Sequence, residues 1–210
     1  MSTIESGAFK ACKSLNTIEI PKAVTVINNE TFISCESLSN VSFHNNIKEI
    51  GDNAFRSCYA LTSVTIPNSV TKLGKDVFYE CTNLTDVTLG NKVTEIRDFA
   101  FANCEKLKNI NIPDSVTAIG EDAFGNCFEL EKIAFGKKCK SVGGMAFAND
   151  DALKKVYVPK SMEYFGEDVF YFNEKSVSEI YYEGNKSEWN AISGTDDFYL
   201  KDKTVHYNSY

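Results

Sequence analysis

Cysteine is the residue type in this chain with the most chemistry to offer, and there are seven of them. Six, Cys12, Cys35, Cys58, Cys81, Cys104 and Cys127, recur every 23 residues. A structural zinc site asks for cysteines paired as C-x-x-C, and no such pair occurs. One cysteine per 23 residues instead predicts a column of thiols, one per repeat, in the core. Neighbouring Cα atoms about 4.8 Å apart fall inside the range for a disulfide. Parallel, identically oriented side chains do not meet its torsion, so buried free thiols are expected. Cys139 replaces the valine of Val116 one repeat earlier and reads as another small apolar filler.

The other reactive residue types give less. His44 and His206 are the histidines, and neither has a catalytic motif around it. The nucleophile elbow G-x-S-x-G, the phosphate-binding Walker loop and the zinc-binding H-E-x-x-H do not occur. Catalysis needs different groups converging on one point, whereas a repeat spreads the same group along a line. Asp52, Asp76, Asp98, Asp122 and Asp168 recur beside a turn, but lack the alternate-residue oxygens that calcium requires. They are expected to cap short helical turns. No enzyme activity, metal or cofactor is therefore expected. Recognition is the remaining chemistry, and its best candidates are Lys132, Lys155, Tyr157 and Tyr181, where tyrosines and lysines gather among otherwise small polar positions.

The elements that must position those residues follow from one regularity. Phe9, Phe32, Phe55, Phe78, Phe101, Phe124, Phe147 and Phe170 stand 23 residues apart without a slip. A fixed period of this length marks a solenoid, in which each repeat buries its apolar face only against its neighbours. Leu61, Val64, Ile66, Val70, Leu73, Phe78 and Cys81 are the apolar slots of one unit, and they recur throughout. Val64 and Ile66 with Thr65 between them carry the period of two of a half-buried strand. These strands are expected to stack parallel and in register. The outward rows then read Glu19, Ser42, Thr65, Thr88, Asn111, Ala134, Tyr157, Tyr181 and Thr17, Asn40, Ser63, Asp86, Asn109, Lys132, Lys155, Glu179.

A second short extended piece, such as Val70 to Leu73, is expected on the far side of each coil. The segment typified by Gly51-Asp52-Asn53-Ala54-Phe55 follows. Its glycine suits unusual backbone angles, and its phenylalanine and cysteine are expected on a brief helical or 3₁₀ turn. Pro21, Pro67, Pro113 and Pro159 stand 46 residues apart, with His44, Gly90 and Gly136 in the intervening slots, so two kinds of repeat alternate.

Net charge is −7, with acidic and basic residues mixed along the chain. Nucleic acid is a poor partner for such a surface, because binding it rests on clustered lysine and arginine. Anionic membranes are disfavoured for the same reason. No apolar run approaches the roughly 20 residues of a membrane span, so membrane insertion is not expected and the chain reads as soluble. Met1 to Lys10 does not read as a signal peptide, and Ile4 to Phe9 already match the second half of a repeat. The chain thus opens in mid-unit, as a fragment of a longer exported protein does.

The recurring pattern A-F-x-x-C-x-x-L-x-x-[IV]-x-[IV]-P-x-[SA]-V-T-x-[IL]-G resembles the BspA-like, Treponema-type class of leucine-rich repeats over residues 4 to about 173. The tail from Ile180 to Ile192, with the single Trp189, resembles the closing segment of such proteins from Gram-positive gut bacteria. The resemblance implies a right-handed leucine-rich repeat solenoid, mostly β in content, with short helical or 3₁₀ turns. About eight 23-residue repeats, the first incomplete, are expected over 1–177. At the end of the array Asp150 and Asn173 replace the cysteine and Ser176 the leucine. Residues 178–210 are expected to form a C-terminal cap. The resemblance further implies a secreted or cell-surface protein used in adhesion, a non-catalytic module binding a protein or glycan as a monomer. The alternative is a structural spacer with no ligand of its own.

Overall fold

The structure, a computed structural model, describes residues 2–173, 176–197, 199–201 and 203–209. In chain order the strands are β1 (Thr17–Glu19), β2 (Val26–Ile27), β3 (Asn40–Ser42), β4 (Glu49–Ile50), β5 (Ser63–Thr65), β6 (Lys72–Leu73), β7 (Asp86–Thr88) and β8 (Glu95–Ile96). They continue as β9 (Asn109–Asn111), β10 (Ala118–Ile119), β11 (Lys132–Ala134), β12 (Ser141–Val142), β13 (Lys155–Val158), β14 (Tyr164–Phe165), β15 (Glu179–Tyr182) and β16 (Thr204–Tyr207), with one short helix, α1 (Lys186–Trp189), before the last. Odd-numbered strands and β16 line the main side of the coil, and the even-numbered strands β2 to β14 line the second side. Every pairing between them is parallel. Thr17 pairs with Asn40, Ser63 with Asp86, and Lys132 with Lys155, so the register is the 23-residue period itself. The chain is a parallel β-solenoid of about eight turns.

What holds the coils together is repetition of a few contacts. From Phe9 to Phe170 the phenylalanine rings form one stack, with centroids 5.2 to 5.9 Å apart and near-parallel planes. Beside it runs the thiol column. Each Sγ donates to the carbonyl of the phenylalanine 26 residues earlier: Cys35 to Phe9 at 3.0 Å, Cys58 to Phe32 at 3.3 Å, Cys81 to Phe55 at 3.2 Å, Cys104 to Phe78 at 3.3 Å and Cys127 to Phe101 at 3.4 Å. The cysteine is thus a small apolar side chain that also satisfies a buried carbonyl. Burial pushes the thiols of Cys58, Cys81, Cys104 and Cys127 well up, away from the reactive thiolate. Cys12 occupies the same slot but is exposed.

The third side of the coil differs from the helical turn that the sequence suggests. Around Phe55 the N–H groups of Asn53, Phe55 and Ser57 bond upward to Lys75, Val77 and Tyr79, while those of Arg56 and Cys58 bond back to Asn53 and Phe55. The result is a run of turns in which alternate N–H groups join the next coil. It requires positive φ at Asn53 (56°) and Ser57 (58°), and the same two positions are left-handed in every repeat. The glycines have another purpose. At Gly51, Gly74, Gly120, Gly143 and Gly166 an added Cβ would fall into the coil beneath, with φ outside the left-handed region, so these positions demand space rather than unusual angles. At Gly90 and Gly136 an added Cβ would likewise meet the carbonyls of Pro67 and Pro113, whereas His44 is accommodated in the equivalent slot over Pro21. Nor do the aspartates cap helices. Asp52 Oδ1 accepts the Lys75 N–H and Asp98 Oδ1 the Glu121 N–H, each joining one coil to the next.

The first two repeats carry Glu5 and Asn28 in the glycine slot, and from Gly51 to Gly166 the column is broken at Arg97. The second sheet parts there into β2-β4-β6 and β8-β10-β12-β14. Elsewhere the glycine N–H bonds to the preceding coil, Gly74 to Ile50 and Gly120 to Ile96, both within 2.8 Å. Among the described residues Arg97 has no counterpart bond to Leu73, nor Thr94 to Thr71. A cleft of about 420 Å³ opens between Thr71, Lys72, Leu73, Thr94, Glu95 and Arg97. The Arg97 guanidinium reaches back over it to Asp52 at 3.4 Å. Arg97→Gly is expected to close this seam, and amide hydrogen exchange at Thr94 and residue 97 then slows to the rate of Thr117 and Gly120. Unchanged exchange at both amides would show that the side chain is not what holds the sheet apart. The main sheet is also interrupted, between β3 and β5 and between β9 and β11.

Candidate functional site: the aromatic and lysine face of the main sheet

The four residues singled out by the sequence fall on the outward face of β11, β13 and β15, and register brings them together in pairs. Lys132 pairs with Lys155, and Tyr157 with Tyr181. Val156 and Ile180 between them point into the core, as alternation along a half-buried strand requires. The tyrosine rings stack with centroids 4.9 Å apart and planes 16° from parallel. Lys155 Nζ lies 5.8 Å from the Tyr181 ring centroid, within reach of a cation–π interaction.

The tail extends this face beyond what the sequence reading found. Strand β16 pairs with β15, so His206 comes into register with Tyr181. Its ring stacks on Tyr181 at 4.8 Å and 17°, making a three-ring ladder from Tyr157 to His206. The alternation Thr204-Val205-His206-Tyr207 is the signal that identifies another strand, but it lies off the 23-residue period and escapes a search by spacing. Tyr181 donates its hydroxyl to Glu179 Oε2, a bond that holds the Glu179 carboxyl below, and the Tyr181 phenol above, its ordinary range.

Other contacts tie the tail to the array. Asn185 caps α1 with a capping box closed by Glu188. The helix delivers Trp189 to the end of the core, edge-on to Tyr182 at 5.3 Å and 6.0 Å from Phe165. Ser193 adds a parallel bridge to Tyr164, and Asp197 accepts the Asp168 N–H at 3.1 Å. The non-repeat sequence therefore touches all three sides of the preceding coil.

No group of three or more His, Cys, Asp or Glu side chains able to hold a metal ion occurs among the described residues. No helix among them is long and apolar enough to cross a membrane.

Comparison with known proteins follows the same geometry. The family described as "BspA type Leucine rich repeat region (6 copies)" matches residues 2–127 and 75–193. The chain belongs to the BspA-type leucine-rich repeat family. Among solved structures, a leucine-rich repeat protein from Bacteroides ovatus is similar at TM-score 0.68 and 24% identity, over 96% of this chain and 56% of that one. The T. pallidum leucine rich repeat protein is similar at TM-score 0.61 and 26% identity, over 79% of this chain and 74% of that one. The pneumococcal vaccine antigen PcpA shares the fold at TM-score 0.54 and 19% identity, over 85% of this chain and 61% of that one. This chain thus spans little more than half the length of the Bacteroides protein. No curated protein matches by sequence.

Proposed function

We propose that this BspA-type repeat chain is a non-catalytic docking module of a bacterial surface protein, and that its partner is a protein. The partner rests on the C-terminal half of the main sheet, around Lys132, Lys155, Tyr157 and Tyr181. The observation that carries this reading is the ring ladder Tyr157, Tyr181 and His206 with Lys155 beside it, on a sheet face otherwise of small polar side chains. Rigid amphipathic rings offer contact area at low entropic cost, and such residues dominate binding energy at protein interfaces. Stacking of a sugar ring on Tyr181 is blocked, because both of its faces are already taken by Tyr157 and His206. Residues 178–210 serve in this reading as a cap that completes the docking face through β16, and the module acts as a monomer.

The test is a purified array of extracellular proteins and glycans probed with the wild type, Lys155→Ala and Tyr157→Ala. Both substitutions are expected to weaken protein capture about tenfold or more while leaving the melting temperature within a few degrees, since Lys155 is exposed and Tyr157 only half-buried on the outward face. Indifference of every captured ligand to both changes would favour a spacer role. Capture of glycans alone would replace the protein partner.

A further inference from the structure

Several charged side chains one coil apart take opposite signs: Lys13 with Glu36 at 2.7 Å, Lys72 with Glu49 at 3.5 Å, Lys75 with Asp98 at 2.5 Å and Lys140 with Glu163 at 2.8 Å. Lys132 and Lys155 do not. They are exposed and in direct register on adjacent strands, so two ammonium groups start from backbones about 4.8 Å apart. Like charges side by side across a ladder are unfavourable. Neither lysine makes an ion pair within 4.0 Å among the described residues. Glu179, the acid one coil beyond Lys155, has an oxygen engaged by the Tyr181 hydroxyl.

From this juxtaposition we infer that the Lys132–Lys155 pair, with the adjoining ring ladder, receives a carboxylate of an acidic, extended segment of the partner polypeptide. The inference rests on the docking face proposed above and adds the chemistry of its occupant. One carboxylate set between two ammonium groups supplies the opposite charge that Lys13, Lys72, Lys75 and Lys140 each find on an adjacent coil. The edges of the Tyr157 and Tyr181 rings then flank the incoming backbone. With a chain charge of −7, general attraction of polyanions is weak, so affinity for an acidic segment has to come from this local pair.

The experiment measures fluorescence anisotropy of a labelled peptide of alternating glutamate and threonine, against its glutamine counterpart and a sulfated polysaccharide. The proteins are the wild type, the double variant Lys132→Gln with Lys155→Gln, and a control carrying Lys72→Gln with Lys92→Gln. The glutamate peptide is expected to bind the wild type and the control alike, and the double variant at least about tenfold more weakly, with affinity falling as salt rises. The glutamine peptide is expected not to bind. Absence of glutamate-peptide binding, or equal loss in the control, overturns the inference, as does binding of the polysaccharide alone through the same lysines. If the acidic peptide fails while protein capture on the array still needs Tyr157, the docking face stands and only its acidic occupant falls. If both fail, the docking face falls too.

Discussion

Phe78→Ala is expected to destabilise the protein by about 3 to 5 kcal/mol, as for other fully buried phenylalanines. Phe78 has no exposed surface, and its ring is stacked between Phe55 at 5.4 Å and Phe101 at 5.5 Å. Its removal leaves a void in the middle of a continuous column, with rigid coils on either side that cannot close over it. Its carbonyl also receives the Cys104 thiol, so any backbone shift there disturbs the neighbouring column. Thr65→Ala, on the outward face of β5, is expected to change stability by less than about 0.5 kcal/mol. Denaturant titrations of both variants give the comparison, and a larger loss for Thr65 would reverse the assignment of inward and outward slots.

Asp150→Asn is expected to raise stability at neutral pH and to have almost no effect near pH 3. Asp150 is fully buried in the slot that cysteine fills elsewhere. Its Oδ1 accepts the Cys127 N–H at 2.8 Å, while Oδ2 has no hydrogen-bond partner. One coil on, Asn173 fills the same slot. Its Oδ1 accepts the Asp150 N–H at 2.8 Å and its Nδ2 donates to the Phe147 carbonyl at 2.5 Å. The slot therefore calls for a donor aimed at a phenylalanine carbonyl, and only a protonated carboxyl supplies one from Asp150. Burial pushes the Asp150 carboxyl well above 3.8, and the nearby acids Asp122 and Asp151 push it the same way. The folded state thus keeps a proton that the unfolded state gives up near the ordinary carboxylate value. Stability from this group is complete below that value and is lost as pH rises above it, by about 1.4 kcal/mol per pH unit until the folded carboxyl itself ionises. Asp122, pushed up to about 6 by burial and then by Glu121, adds a similar loss between about pH 4 and 6 in both proteins. Melting temperatures of the wild type and Asp150→Asn, followed from pH 3 to 9, are expected to diverge as pH rises. Parallel curves would mean that the carboxyl finds a compensating partner when charged.

The period of 23 was sufficient to read the strands, their register and the inward columns, because each coil presents the same side chains to an identical neighbour and small local preferences are reinforced at every level. Lys132, Lys155, Tyr157 and Tyr181 could be placed on one face for that reason. His206 could not, since β16 follows α1 and an irregular segment whose length no repeat dictates. The third side was misread as helical because Asn, Asp and Ser are residues of helix caps and also of left-handed turns, and composition does not separate the two. Glycine misled in a similar way. Its freedom of φ was the obvious property, whereas its missing Cβ is the one used. Arg97 departs from the glycine column, but its effect on the second sheet depends on how closely the coils approach, a distance that spacing in the sequence does not express.

The seam at Arg97 also bears on how this rod responds to tension. Coils joined only to their neighbours transmit a pull from one end to the other in series, so extension begins wherever the fewest bonds cross. On the second side no strand pairing links β6 to β8, while β5 to β7 and the turns around Phe78 and Phe101 still hold. Stretched between its ends, the molecule is expected to open first at one of its unpaired junctions, β6 to β8 on the second side or β3 to β5 and β9 to β11 on the main side, and single-molecule force traces should record low-force steps ahead of the rupture of the blocks between them.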